Sequence, residues 1–128
     1  MPRHEDSVRL RHMLAAAQKA VKYVRGHQRK DLETDEPLVL SLTRLLEILG
    51  EAAGKVSKEG QKACPNIPWP QVVGMRNRLI HAYFEVDLDQ IWETVQEDLP
   101  PLITELKRIV KTWQVHSITL WKQQQKKH

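Results

Sequence analysis

The chain has 128 residues and a mass of 14.9 kDa, which is room for one hydrophobic core and one domain. With 41% hydrophobic residues, 28% charged residues and five glycines, its composition is that of a soluble helical protein and excludes disordered and fibrous classes. The net charge of +4 is modest but unevenly spread: eight basic and two acidic residues lie between Arg3 and Lys30, six acids and no base between Glu85 and Asp98, and six bases and no acid from Lys107 to His128. Basic ends of this kind either present a positive face to a polyanion or form a solvated helix surface. The opening residues, Met1 to Asp6, carry no apolar targeting segment, and no stretch approaches the roughly 18 apolar residues of a membrane span, so a cytoplasmic protein without membrane contact is expected. The single cysteine, Cys64, can build neither an internal disulfide nor a thiolate metal cage.

In chain order, Leu10, Met13, Leu14, Ala17, Val21 and Val24 recur at intervals of three and four, which predicts a first helix ending at Gly26. A polar link from His27 to Glu36 leads to a second helix carrying Leu38, Leu42, Leu45, Leu46, Leu49 and Ala53, with Asp35 as its N-cap and Pro37 in its first turn. Gly60, three prolines and Asn66 predict a loop over Lys58 to Pro70, with Pro70 opening a third helix that runs to about Tyr83. Asp87 and Gln90 have capping-box spacing ahead of Leu88, Ile91, Trp92, Val95 and Leu99, a fourth helix that Pro100-Pro101 should kink or break. Leu102 to Trp113 resume the pattern, and the segment from His116 is expected to fray. No run alternates long enough for a strand. The expectation is an all-α, up-and-down bundle of four to five helices over residues 1–115, followed by a basic tail over 116–128.

Several chemical signals fail on inspection. Gly50-Glu51-Ala52-Ala53-Gly54-Lys55 is one residue short of a phosphate-binding loop and follows a helix rather than a strand. The six histidines form no paired helical ligand set, so neither a metal nor another cofactor is implied. Glu47 and Glu51, four apart on one helix, read as a solvated or salt-bridged pair.

The segment Gly74 to Tyr83 is different, because it gathers Arg76, Asn77, Arg78, His81 and Tyr83 within eight residues. An imidazole that titrates near neutrality can move a proton off a ribose 2′-hydroxyl, and a guanidinium can hold a phosphate bidentately as negative charge grows on its oxygens. On a continuous helix Asn77 and His81 would lie one turn apart and the polar groups would share one broad face. The residues alone leave two readings open: a phosphate site of this kind, or a structural helix with Arg and His satisfied in salt bridges.

Arg76-Asn77-Arg78-Leu79-Ile80-His81-Ala82-Tyr83 resembles the Arg-x4-His-x-Tyr signature of the HEPN superfamily, specifically the HepT-like ribonuclease toxins paired with minimal nucleotidyltransferase antitoxins. The flanks agree: Leu45 to Ala53, Pro65 to Trp69, and Phe84 to Asp87 with Ile91-Trp92, so that the likeness spans about residues 8 to 113. The resemblance implies a metal-independent endoribonuclease in which Arg76 and His81 form the catalytic pair, Asn77 orients one of them, and Arg78 contacts substrate RNA. It also implies a homodimer whose two motifs line one cleft, and adenylylation of Tyr83 by a cognate antitoxin as the means of neutralisation. A separate expectation comes from the small residues Gly50, Ala52, Ala53 and Gly54, which suggest a close helix crossing where Glu51 would pair with Arg76 or Arg78. The alternative function is a catalytically silent module that binds nucleotide or RNA, or docks a nucleotidyltransferase, with the same basic residues. A sequence-specific DNA binder has less support, since no helix-turn-helix spacing is evident. Trp121, Lys122, Lys126 and Lys127 could stack on and grip a single strand or form a solvated end, and which RNA is cut is not legible from a motif that holds backbone phosphate.

Overall fold

The computed structural model describes residues 3–82 and 85–126, with side chains described over 3–79 and 86–113. Helix α1 spans His4–Val24 and ends at Gly26, whose φ of 80° closes the turn at no steric cost. A 3-10 turn, Arg29–Glu33, fills the polar link, and the Asp31 carboxylate accepts from the Gln28 N–H at 2.7 Å. Helix α2, Glu36–Gly54, begins as the sequence predicts, with the Asp35 carboxylate accepting from the Leu38 N–H at 3.0 Å. The spaced apolar residues of these helices meet: Leu10, Met13, Ala17 and Ala20 of α1 and Leu42, Leu46, Leu49 and Ala53 of α2 are fully buried in one core.

The segment expected to be a loop over Lys58 to Pro70 instead starts with a helix, α3, Lys58–Ala63. Its cap is built from both local and distant residues, which explains why local composition hides it. Ser57 Oγ accepts from the Gly60 N–H at 3.0 Å, and Asp6, from the first turn of α1, accepts from the Ser57 N–H at 2.8 Å and the Ser57 hydroxyl at 2.6 Å. Asp6 is only 3% exposed, so these bonds replace the water its carboxylate gives up. Gly60, read from sequence as a breaker, is required by space: a Cβ there would lie 2.5 Å from an Asp6 carboxylate oxygen.

Helix α4, Trp69–Val73, opens with Pro70 in its first turn as anticipated, and Trp69 Nε1 donates to the carbonyls of Cys64 and Gln61. The expected continuous helix to Tyr83 does not form. At Gly74 the chain turns and restarts as α5, Met75–Leu79, and then becomes a strand, β1, Ile80–Ala82, paired antiparallel with β2, Glu85–Val86. The Leu79 carbonyl, which a continuing helix would offer to residue 83, accepts instead from the Asp87 N–H at 2.7 Å. Asp87 in turn caps α6, Leu88–Glu93, by accepting from the Gln90 N–H at 3.0 Å, so the start of α6 and the end of α5 fix each other.

Pro100-Pro101 does not break the helix that contains it. Between α6 and α7, Leu99–Lys126, lies a π-helical turn, Thr94–Asp98, in which the Leu99 N–H reaches the Thr94 carbonyl five residues back. Both prolines follow directly on this wider turn, which moves the preceding carbonyls away from rings that would press on them in a regular α-helix. The backbone expected to fray from His116 continues as helix to Lys126. The result is an all-α bundle in which α1, α2 and α7 surround the core, with the β1–β2 hairpin as its departure from helix. Among the described residues no helix is long and apolar enough to cross a membrane.

This packing has two measurable outcomes. Asp6→Ala and Gly60→Ala should each cost about 2 kcal/mol in urea unfolding, the first by stranding Ser57 and the second by displacing the carboxylate. In the double variant the second substitution should cost clearly less than it does alone. Burial, reinforced by the charge of Glu105, pushes the Cys64 thiol above its usual range, so a disulfide reagent should leave the folded protein unlabelled at neutral pH and label it fully in denaturant.

Candidate active site

The placement of the motif begins at Gly50 of α2. A Cβ on Gly50 would stand 3.1 Å from the Val72 carbonyl oxygen, 3.5 Å from that of Val73 and 4.0 Å from the Met75 Cβ. Glycine therefore lets the junction of α4 and α5 lie directly on α2, the close crossing that the run of small residues suggested. Met75 and Leu79 of α5 are buried in that contact, which leaves Arg76, Asn77 and Arg78 of the same helix exposed.

The two arginines leave α5 toward different neighbours. Arg76 Nε lies 3.9 Å from Glu47 Oε1, an ion-pair contact to α2, with the Arg76 side chain 65% exposed and that of Glu47 21% exposed. Arg78 lines a cavity of about 450 Å³ with Met75, Glu97, Asp98, Leu102 and Glu105, so its surroundings are the π turn and the start of α7. The single polar face expected of a continuous helix is thus divided between two sides of α5. Glu51 does not meet the motif arginines: its described partner is Arg44, 3.7 Å away, and its side chain is 57% exposed. The acid that reaches the motif is Glu47, one turn earlier.

His81 lies beyond the helix. In the hairpin Ile80 pairs with Val86 and Ala82 with Glu85, so β1 advances two residues while β2 advances one, and His81 is the extra residue of a bulge. Bulges alter the direction of the strand that carries them, so the spacing between Arg76 and His81 is set by a helix end followed by an irregular strand rather than by helical periodicity. The His81 side chain and Tyr83 lie outside the described residues. Among those described, no three His, Cys, Asp or Glu side chains are grouped as metal ligands.

Sequence reasoning missed two features of this site. One is Glu47, read only against Glu51; the signal available was Arg44, which sits three residues before Glu47 and seven before Glu51 and so can pair with both. The other is the bulged hairpin, whose strands of three and two residues are too short to show alternation.

Comparison with known proteins places the chain in a family. The family model described as Ribonuclease HepT-like matches residues 13–109, from the first helix to the last described buried residue of α7. The chain is 35% identical over 102 residues to a protein of Caldanaerobacter subterraneus subsp. tengcongensis whose name ascribes RNase activity to it, covering 80% of this chain and 91% of the relative. It is 38% identical over 82 residues to the Thermococcus cleftensis protein named "Probable ribonuclease HepT", covering 64% and 74%. A similarly named Methanocaldococcus jannaschii protein is 29% identical over 111 residues, covering 87% and 92%. No solved structure matches the chain. With three quarters of its length inside the family match and the full Arg76-to-Tyr83 signature in place, the chain belongs to the HepT-like ribonuclease family.

Proposed function

We propose that this protein is a metal-independent endoribonuclease toxin of the cytoplasm, neutralised by a nucleotidyltransferase antitoxin. The observation that carries the reading is the Arg76-x4-His81-x-Tyr83 segment within a HepT-like ribonuclease chain, with Arg76 exposed on a helix packed against α2. Arg76 binds the phosphate at the scissile position, and His81 transfers a proton. The ribose 2′-oxygen attacks the adjacent phosphorus, the bond to the 5′-oxygen breaks, and that oxygen takes up a proton, which leaves a 2′,3′-cyclic phosphate and a 5′-hydroxyl. Asn77, beside Arg76 on α5, orients one of the pair. Two proton transfers are needed and each protomer offers one motif histidine, which favours a homodimer with both motifs on one cleft. Arg78, among the acidic walls of its cavity, is a secondary contact to RNA.

Tyr83 is two residues from His81, and an adenylyl group on its hydroxyl would add bulk and negative charge beside the cleft, repelling RNA phosphates. The tyrosine acts as the switch and takes no part in the chemistry.

The test is cleavage of total RNA by the purified protein in the presence of EDTA. Chelator-resistant cleavage is expected to fall at least about 100-fold in Arg76→Ala and His81→Ala, and the fragments should carry cyclic phosphate ends. RNA that is bound but left whole by the parent chain would favour the silent binding module. Arg78→Ala should weaken RNA binding and reduce its salt dependence while lowering the rate less than Arg76→Ala does. Tyr83→Phe should retain cleavage and lose the adenylyl mass increment of about 329 Da that a co-expressed nucleotidyltransferase would add, a mass fixed by the chemistry of AMP.

A further inference from the structure

We propose that Glu47 is a positioning residue for Arg76, held in place by a charge ladder along α2. Arg44, Glu47 and Glu51 follow one another at intervals of three and four and so share one face of the helix. Arg44 Nη1 is 3.4 Å from Glu47 Oε2 and 3.7 Å from Glu51 Oε1, while Arg76 Nε is 3.9 Å from Glu47 Oε1. The two oxygens of one carboxylate are thereby divided between two guanidiniums. Glu47 is the inner member, 21% exposed where the other three side chains are 57–65% exposed, so its charge is the least screened of the four.

The atom that faces Glu47 decides what the contact does. A guanidinium is planar, and a carboxylate on the Nε side, 3.9 Å away and so acting through charge rather than a hydrogen bond, draws that side toward α2 and turns the edge formed by the two terminal nitrogens outward. Among the described residues no hydrogen-bond partner occupies that edge of Arg76. It is the edge that grips a phosphate bidentately. Gly50, one turn beyond Glu47, keeps the start of α5 against α2, so the carboxylate and the arginine it orients are carried by one close crossing. Arg44 contributes differently. By taking the second Glu47 oxygen, it offsets the negative charge that would otherwise face an arriving phosphate. Glu51 belongs to the same ladder at one remove, through Arg44 and not through Arg76.

This inference rests on the reading of Arg76 as the phosphate ligand, and its test separates the two. Steady-state cleavage of a defined RNA is compared for the parent, Glu47→Gln, Glu47→Asp and Arg44→Gln, each also in an Arg76→Lys background. Glu47→Gln keeps the shape and removes the charge; it should lower kcat/KM about tenfold or more, mostly in kcat, with the melting temperature within a degree or two of the parent. Glu47→Asp should recover part of the loss, and Arg44→Gln should cost only a few-fold. In the Arg76→Lys background, where no planar edge remains to be oriented, Glu47→Gln should change kcat/KM less than twofold. An unchanged rate in Glu47→Gln, or an equal loss in both backgrounds, overturns the proposal. A second readout needs no activity: the Arg76 Nε–H chemical shift of the full chain should move as pH is lowered through the carboxylate range, and that response should be lost in Glu47→Gln. A parent that cleaves no RNA but shows the response refutes the ribonuclease reading and keeps the positioning role; a parent without the response refutes the positioning role whatever the activity.

Discussion

The close approach of the α4–α5 junction to α2 at Gly50 is the constraint on which the site depends. The carbonyl oxygen of Val72 lies 3.1 Å, and that of Val73 3.5 Å, from where any other residue would place its Cβ, so a side chain there would crowd the first and touch the second. Because those carbonyls belong to the turn just before Met75, the depth of this contact sets the height of α5 over α2. With α5 set, Met75 and Leu79 are committed to the core and Arg76 is committed to the neighbourhood of Glu47. A bulkier residue at Gly50 would therefore act at a distance, lifting an arginine it does not touch.

A second constraint closes the other end of the motif. Leu79 offers its carbonyl to Asp87, and Asp87 caps α6, so the chain between them must leave the helix, reverse and return within eight residues. The short hairpin is the solution, and its bulge falls on His81. The two motif residues proposed to act together are thus held by different kinds of structure: Arg76 by helix packing, His81 as the bulge between two paired strand residues. Their separation responds to two independent sets of contacts, a common arrangement where side chains must be placed more finely than one element allows.

Much of this was legible in the residues. The three- and four-residue spacing of Leu10 to Val24 and of Leu38 to Ala53 marks α1 and α2, and Asp35 and Asp87 mark helix starts because a carboxylate there meets backbone donors only two or three residues away. What sequence could not show is whatever depends on distant partners. The helix at Lys58 is stabilised by Asp6, fifty-two residues earlier, and Gly60 signals a break only until that carboxylate is in view. The end of α5 is decided by Asp87, and the partner of Arg76 by which turn of α2 lies beneath it, so that Glu47 takes the place expected of Glu51. The family signature identified the motif residues without revealing that they straddle a helix and a strand.

The π turn before α7 has a bearing on how this fold can vary. A π turn holds one residue more than the α turn it replaces, so a chain shortened by one position within Thr94–Asp98 could close up as ordinary helix and keep Ile91 and Leu99 on the core side. Here Pro100 and Pro101 forbid that exchange, since in an uninterrupted α-helix they would stand where two backbone donors are required. The prolines thus act as a ratchet on chain length: once they are present, the extra residue cannot be lost by simple deletion, and only a prior change of both prolines reopens that evolutionary route.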